Sequence, residues 1–208
     1  MLCFRLQRVF WRLLPVSLPV CGGGRPVAVP KLMAVALACL ATLPLMAAPS
    51  RSAEADFSAK DGQVLGRTLG FVGDQASGIA VVGIVYAVGD SGSRQEAQLI
   101  QAVIGDGMQT GKVQLRAHLI PIEQLGSETE VQALYVTKGL AGRMDLVSAA
   151  AQRLHVPTIS ADMACVQTGG CVVGFSSEPT VQIIIDRGAA ERSGVRFLQA
   201  FRMLVREK

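Results

Sequence analysis

The sequence predicts a three-layer α/β/α domain with a mostly parallel β-sheet, one lobe-like domain that ends in an antiparallel strand pair. Two observations predict this fold. Apolar runs such as IAVVGIVYAV (79–88) are nearly continuous, as in strands buried on both faces of a parallel sheet. These runs alternate with segments whose apolar residues recur at helical spacing, which gives a β-α-β-α-β-α-β order.

The elements follow from the spacing of the apolar residues. Residues 56–73 predict a helix, and the glycines at 62, 66 and 70 in it are compatible with a closely packed helix face. Residues 112–121 alternate apolar and polar side chains, which predicts a half-exposed strand near an edge of the sheet. The other predicted elements before residue 161 are a strand at 79–88, a helix at about 93–108, a short helix or turn at 122–130, a strand at 131–137, a helix from 139 or 140 to 155, and a strand at 156–160.

Residues 1–55 predict an N-terminal extension with a cleavable signal peptide, which leaves 56–208 as the α/β domain. Lys31 precedes an apolar run that extends through Ala48, and the small-residue motif Ala53-Glu54-Ala55 follows. This order is typical of secretory signal peptides, and it predicts export to the periplasm with cleavage after Ala55. Residues 1–30 fit a signal peptide poorly, and they are either an unusually long n-region or sequence upstream of the true translation start; the second interpretation is favoured.

The basic character of the chain belongs to this leader. The formal net charge is +4 and the pI about 9.0. Residues 1–55 hold six basic residues and one acidic residue, so 56–208 carry a net charge of −1. Bulk charge therefore gives no support to nucleic-acid binding by the domain.

Two cysteines remain once the leader is removed, Cys165 and Cys171. An even pair in an oxidising compartment predicts a disulfide. A redox couple is the alternative, but catalytic pairs usually have two intervening residues, whereas five residues with two glycines separate this pair. A structural bond is the favoured interpretation.

The C-terminal region carries a family resemblance. Residues 171–175 and 181–185 predict two strands, a helical segment begins at Asp186 and ends near Gly194, and residues 197–205 predict a last helix. The order of a small-residue loop, V-G-F, a strand ending in Asp, A-A-x-x-x-G-V and M-L-V-R resembles the C-terminal signature of the YfiR family. The likeness is clearest over roughly the last 40 residues. The strand VQIIID differs from the usual family pattern, which indicates a distant member.

This resemblance implies a small periplasmic regulator of a membrane-bound diguanylate cyclase or sensor kinase. The expected partner is the periplasmic part of a membrane-anchored signalling protein, with no nucleic acid bound, and the oligomeric state stays open, a homodimer included. In the resembling family such a bond supports the regulator's stability and its ability to hold the partner off. The oxidised form is therefore expected to be the folded, repressing form.

An alternative function follows from the predicted sheet. Ligands of such sheets bind beyond the carboxyl ends of the parallel strands. Residues 133–160 also resemble part of one lobe of a periplasmic solute-binding protein, which indicates a small-molecule-binding module. Helix capping and turn formation are the competing interpretation for the polar residues at these ends. The candidate ligand-binding residues are Asp90, Ser91, Thr137, Lys138, Ser160 and Asp162.

No catalytic constellation emerges from the sequence. The run 105–112 lacks the glycine and the Ser/Thr of a phosphate-binding loop, and 174–178 lack the closing glycine of a nucleophile elbow. The two histidines, His118 and His155, have no carboxylate or thiolate neighbours at metal-ligand spacing. The sequence therefore predicts a protein that is not an enzyme, with no cofactor and no metal; a thiol-dependent enzyme is the least favoured class.

Overall fold

The computed structural model describes residues 56–73, 77–127 and 130–208. All of them belong to one compact unit, Pro49–Lys208. The predicted signal peptide and its cleavage site after Ala55 lie outside the described residues, and so do the first three cysteines.

The described chain contains eight strands and six α-helices. The helices are α1 (Ala59–Leu69), α2 (Ser91–Ile104), α3 (Met144–Leu154), α4 (Met163–Gln167), α5 (Arg187–Arg192) and α6 (Gln199–Arg202). The strands are β1 (Gly78–Tyr86), β2 (Met108–Thr110), β3 (Val113–Pro121), β4 (Ala133–Val136), β5 (Thr158–Ser160), β6 (Val173–Ser176), β7 (Gln182–Ile185) and β8 (Arg206–Glu207). Two 3₁₀ turns, Ile122–Ser127 and Ala141–Arg143, complete the set.

All eight strands form one sheet in the order β2-β3-β1-β4-β5-β6-β7-β8. The five strands from β3 to β6 in this order are parallel, while β2 and β7 are antiparallel to their inner neighbours. The longest pairing joins β1 to β3, from Gly78 opposite Val113 to Tyr86 opposite Pro121. β1 and β4 are neighbouring parallel strands, as the predicted fold requires. The predicted α/β class, the parallel sheet and the C-terminal antiparallel pair are confirmed.

Two apolar clusters fill the space on the two faces of the sheet. On one face, helix side chains such as Leu65 of α1 and Ile100 of α2 pack against alternate residues of the central strands, such as Ile84 of β1. On the other face, Val147 and Ala151 of α3 pack against β1 and β4 residues such as Val85. Alternation along each strand sends successive side chains to opposite faces, so one sheet supports both clusters.

The helices that follow β1 and β4 lie on opposite faces of the sheet. The chain leaves β1 through α2 and pairs β3 on one side of β1, and then returns to pair β4 on its other side. It leaves β4 through α3 toward β5. β1 and β4 therefore flank a topological switch point, where the connections diverge and leave a crevice at the carboxyl edge of the strands.

The hairpin after α2 corrects one expectation. The helix predicted to end near Met108 ends at Ile104, and Met108–Thr110 form an edge strand antiparallel to β3. Gly105 has φ +57, a conformation that favours glycine, and it reverses the chain between the helix and the strand. The short β2 covers β3, so β3 lies second from the edge.

The glycines of α1 allow close packing. A Cβ on Gly66 would lie 1.9 Å from Thr110 Oγ1, so this helix face approaches β2 at a distance that only glycine permits. Glycine costs roughly 1 kcal/mol relative to alanine in a helix interior, and at this position it allows the close contact between α1 and β2.

The C-terminal segment 197–208 differs from the predicted last helix at 197–205. Helix α6 has only four residues, and the chain then pairs β8 with β7. Phe201 is buried as predicted, but Leu204 is 78% exposed and does not belong to a buried helix face. Cys165 lies within the short helix α4.

Candidate functional site

A cavity of about 900 Å³ opens at the carboxyl edge of the parallel strands. The entry to α1 and the segments that follow β1, β4, β5 and β6 line it, so it occupies the crevice at the switch point. Its volume lies within the range of sites that bind small molecules and cofactors.

Three of the six predicted ligand-binding residues line this cavity: Asp90, Lys138 and Asp162. Both aspartates also cap helices, because Asp90 Oδ1 accepts from Ser93 N at 2.8 Å and Asp162 Oδ1 accepts from Ala164 N at 2.9 Å. For these two residues, capping and a place in the cavity wall are combined rather than alternative.

The other three predicted residues do not line the cavity. Ser91 is exposed at the first turn of α2. Thr137 Oγ1 is within 2.8 Å of the Val85 carbonyl, to which it donates, and Ser160 Oγ donates to the Val136 carbonyl at 2.9 Å. Both buried hydroxyls therefore bind neighbouring strands of the sheet, and their place at strand ends reflects packing.

The entry to α1 supplies a cavity wall that the sequence analysis missed. Asp61 Oδ2 accepts from Ser58 N at 2.8 Å, and Ser58 Oγ accepts from Asp61 N at 3.3 Å, which forms a capping box. The Ser58 hydroxyl also donates to Asp61 Oδ2 at 2.6 Å. Phe57, just before this cap, is buried against Tyr135 in an edge-to-face contact with ring centroids 5.7 Å apart. The spacing Ser-x-x-Asp before an apolar helix is a signal that marks this helix start, although its place beside the strand ends depends on long-range packing.

Glu96 links α2 to the end of β4. Its Oε1 accepts from the Tyr135 hydroxyl at 3.3 Å, and its Oε2 accepts from the Lys138 backbone N–H at 2.8 Å. Burial raises the pKa of Tyr135 well above its ordinary value, and the charge of Glu96 raises it further. Tyr135 is therefore a neutral hydroxyl at physiological pH, and it holds a carboxylate in the cavity wall.

Ser177, which follows β6, also lines the cavity. It is 5% exposed, and its hydroxyl makes no hydrogen bond to any residue in the described ranges. Buried polar groups are nearly always hydrogen-bonded, so a buried hydroxyl in the cavity lining with no partner among the described residues is available to a ligand or solvent.

The predicted disulfide is present in the structure. Cys165 and Cys171 are joined with an S–S distance of 1.95 Å and a Cα–Cα distance of 5.3 Å. The bond ties α4 to the residues that enter β6. Because Asp162 and Met163 at the start of α4 line the cavity, the disulfide also fixes one cavity wall.

Within residues 56–73, 77–127 and 130–208, no group of three or more His, Cys, Asp or Glu side chains is placed to hold a metal ion. The same residues contain no helix long and apolar enough to cross a membrane. That the protein is not an enzyme stays a prediction.

A comparison with protein-family models finds no match, and neither does a comparison with curated proteins. Among solved structures, the chain is similar to a conserved domain protein from Vibrio cholerae O1 biovar El Tor, with a TM-score of 0.50 and 14% identity over 74% of this chain and 61% of that one. At this identity the likeness shows the fold alone.

Two further structures are similar at lower TM-scores. One is the ABC domain in complex with L-Trp from Streptococcus pneumonia, with a TM-score of 0.48, 13% identity, and 72% of this chain and 59% of that one covered. The other is the ligand-free, open structure of a substrate binding protein with adhesive properties from Clostridium difficile, with a TM-score of 0.47, 13% identity, and 73% and 60% covered. These likenesses are too loose to carry an argument. The chain spans about three-fifths of the length of all three structures.

Proposed function

We propose that the domain is a small-molecule-binding module of an exported protein, and that its ligand occupies the cavity at the carboxyl edge of the sheet. One observation carries the proposal: the cavity of about 900 Å³ lies at the switch point between β1 and β4. Its walls combine buried aromatic rings with the polar groups of Glu96 and Ser177, a composition typical of ligand sites. The periplasm is the compartment that the predicted leader indicates.

A thermal-shift screen of the full chain against a metabolite library tests this function. A ligand at 100 times its Kd stabilises the folded state by about 2.7 kcal/mol, which raises the melting temperature measurably. Ala161 lines the cavity, whereas Ala164 is exposed on α4 outside the lining, so the variants Ala161→Phe and Ala164→Phe form a matched pair.

We expect Ala161→Phe to abolish the ligand-induced shift by filling the cavity and Ala164→Phe to keep it. If no compound shifts the wild type, or if both variants respond like the wild type, this function is wrong. The melting temperature of each variant without ligand shows whether its fold is intact.

A second candidate function, regulation of a membrane-anchored signalling protein, is favoured by the surface near the C-terminus. Met203 and Leu204 are 77% and 78% exposed, and Leu198 is also exposed. Adjacent exposed apolar side chains are typical of interaction surfaces. These residues belong to the stretch that resembles the YfiR family, so the occupant we propose is the periplasmic part of a diguanylate cyclase or sensor kinase.

The variant Leu204→Asp tests this second function, since an exposed side chain can be replaced with little effect on folding. We expect the variant to lose co-purification with its membrane partner and to change cellular cyclic-di-GMP, while Ala161→Phe keeps the partner. An unchanged partner and an unchanged cyclic-di-GMP level in Leu204→Asp would exclude this surface.

A further inference from the structure

The walls of the carboxyl-edge cavity are strongly acidic. Six carboxylates line it: Asp56, Asp61, Asp90, Glu96, Asp162 and Glu178. Lys138 is the single basic residue in the lining, and Lys60 outside it forms an exposed ion pair with Glu178 at 2.8 Å. Even with both lysines counted, negative charge remains in excess. A cavity of this sign attracts cations and repels anions.

The deepest carboxylate is Asp61, which is 9% exposed. Both hydrogen bonds that it accepts end on Oδ2, and among the described residues none donates to Oδ1. A buried carboxylate oxygen without a donor is costly unless a solvent or ligand group satisfies it. This oxygen favours a ligand group that donates a hydrogen bond, and the Ser177 hydroxyl, which has no partner among the described residues, can accept or donate a second one.

The helix ends around the cavity are already neutralised. Helix N-termini often bind anions through free backbone N–H groups. Here Asp90 and Asp162 each accept such a bond at their own helix, and Asp61 accepts one from Ser58 at the start of α1. An anionic ligand would have to displace these carboxylates and then face their charge.

Aromatic rings form the apolar part of the wall. Phe57, Tyr135 and Phe175 all line the cavity and are buried. Ring faces attract cations, by roughly 0.5–2 kcal/mol depending on desolvation, and they also bury the hydrocarbon part of a ligand. Asp61 and Glu96 both act on Tyr135 electrostatically, so charge and aromatic surface occur together.

From these observations we propose that the cavity binds an organic cation, an amine with a hydrocarbon body, whose charged nitrogen lies near Glu96 and donates to Asp61 Oδ1. This proposal rests on the proposed function as a small-molecule-binding module, and it specifies the chemical class of the ligand.

Isothermal titration of the full chain with matched probes tests the charge preference. The amines are phenethylamine, 1,4-diaminobutane and 3,3-dimethylbutylamine. Their neutral counterparts are 2-phenylethanol, 1,4-butanediol and 3,3-dimethylbutanol, and their acidic counterparts are phenylacetate and succinate. We expect at least one amine to bind at a single site and at least tenfold more tightly than its neutral counterpart, with no binding of the acids. Failure of all three amines to bind, or equal binding of a neutral counterpart, overturns the proposal.

Isosteric variants locate the charge that matters. We expect Glu96→Gln and Asp61→Asn each to weaken binding of the amine at least tenfold, because each removes a full negative charge and keeps the size of the side chain. Asp106→Asn is the control, since Asp106 is exposed in the turn after α2 and outside the cavity lining. Its affinity should equal that of the wild type. Equal weakening by Asp106→Asn would mean that bulk charge, not the cavity, attracts the amine.

The metabolite screen separates a failure of the small-molecule function from a failure of the cationic ligand class. If a neutral or anionic compound binds and Ala161→Phe blocks it, the small-molecule function stands and the cationic ligand class is wrong. If no compound of any charge binds, the small-molecule function itself is wrong. The affinities of Glu96→Gln and Asp61→Asn are compared with that of the wild type only for a variant that shows a cooperative melting transition without ligand. One folded variant is enough to test the role of the cavity charge.

Discussion

The carboxyl-edge cavity and the C-terminal edge of the sheet depart from the usual distribution of residues in opposite ways. The cavity buries polar groups such as Asp61 and Ser177, whereas the C-terminal edge exposes Met203 and Leu204. A buried polar atom without a hydrogen-bond partner and a group of adjacent exposed apolar side chains are both informative, since each is unfavourable in water unless a binding partner covers it. This difference underlies the two proposed functions, with a small-molecule ligand at the cavity and a macromolecular partner at the C-terminal edge.

The cavity lies on the hydrophobic core, and the C-terminal edge does not. Truncating an apolar side chain should therefore have very different effects in the two regions. Phe175 is fully buried in the cavity wall, so we expect Phe175→Ala to lower the free energy of unfolding by about 3–5 kcal/mol. Leu204→Ala at the edge should change it by less than about 0.5 kcal/mol. Denaturant unfolding measures both, and similar values for the two variants would contradict the comparison.

The disulfide connects the cavity wall to the C-terminal strands. We expect the double variant Cys165→Ala/Cys171→Ala to lose about 2 kcal/mol of unfolding free energy, because the bond restricts a short loop in the unfolded chain. Reductant should lower the stability of the wild type by a similar amount and leave the double variant unchanged. Two free thiols per chain in protein recovered from the periplasm would contradict the bond.

The regulatory role of this bond is a separate expectation. If the oxidised form is the repressing form, the double variant should also raise cellular cyclic-di-GMP through release of the partner. A loss of stability with unchanged cyclic-di-GMP would leave the bond a purely structural one.

The smallest effect is expected from the ion pair at the C-terminal edge. The hydrogen bond from Arg202 Nε to Glu207 Oε1 at 2.5 Å lowers the pKa of Glu207 below its ordinary value of 4.5. A carboxylate with a lowered pKa stabilises the fold above pH 4.5, and this contribution is lost as the pH falls through the lowered pKa. The stability difference between wild type and Glu207→Gln should therefore be largest near neutral pH and shrink below pH 4.5. A difference that is independent of pH would exclude this ion pair as its source.

Local sequence patterns were sufficient for the central fold. The apolar runs at 79–88 and 131–137 have a single stable environment, a sheet covered on both faces, so their parallel pairing could be predicted. Residues 197–208 could not be predicted in the same way. Phe197, Phe201 and Leu204 have helical spacing, but α6 ends at Arg202 and the chain pairs with β7 instead. There a strand pairing outweighs weak local periodicity.

The cavity was only partly predictable for a related reason. Strand ends can be read from the sequence, which identified Asp90, Lys138 and Asp162. The same rule could not separate these residues from Thr137, whose hydroxyl is used within the sheet. Asp61 reaches the cavity from a helix that precedes the first strand, and only tertiary packing brings it there.

Hydrogen–deuterium exchange tests whether the ligand occupies the carboxyl-edge cavity. The free protein is compared with the protein saturated with the compound that gives the largest thermal shift. The account predicts protection of the cavity walls, in peptides that cover residues 56–61, 90–96, 137–139 and 176–178, and no change in residues 198–208. Protection at 198–208, or saturable binding with no protection around the cavity, would contradict it.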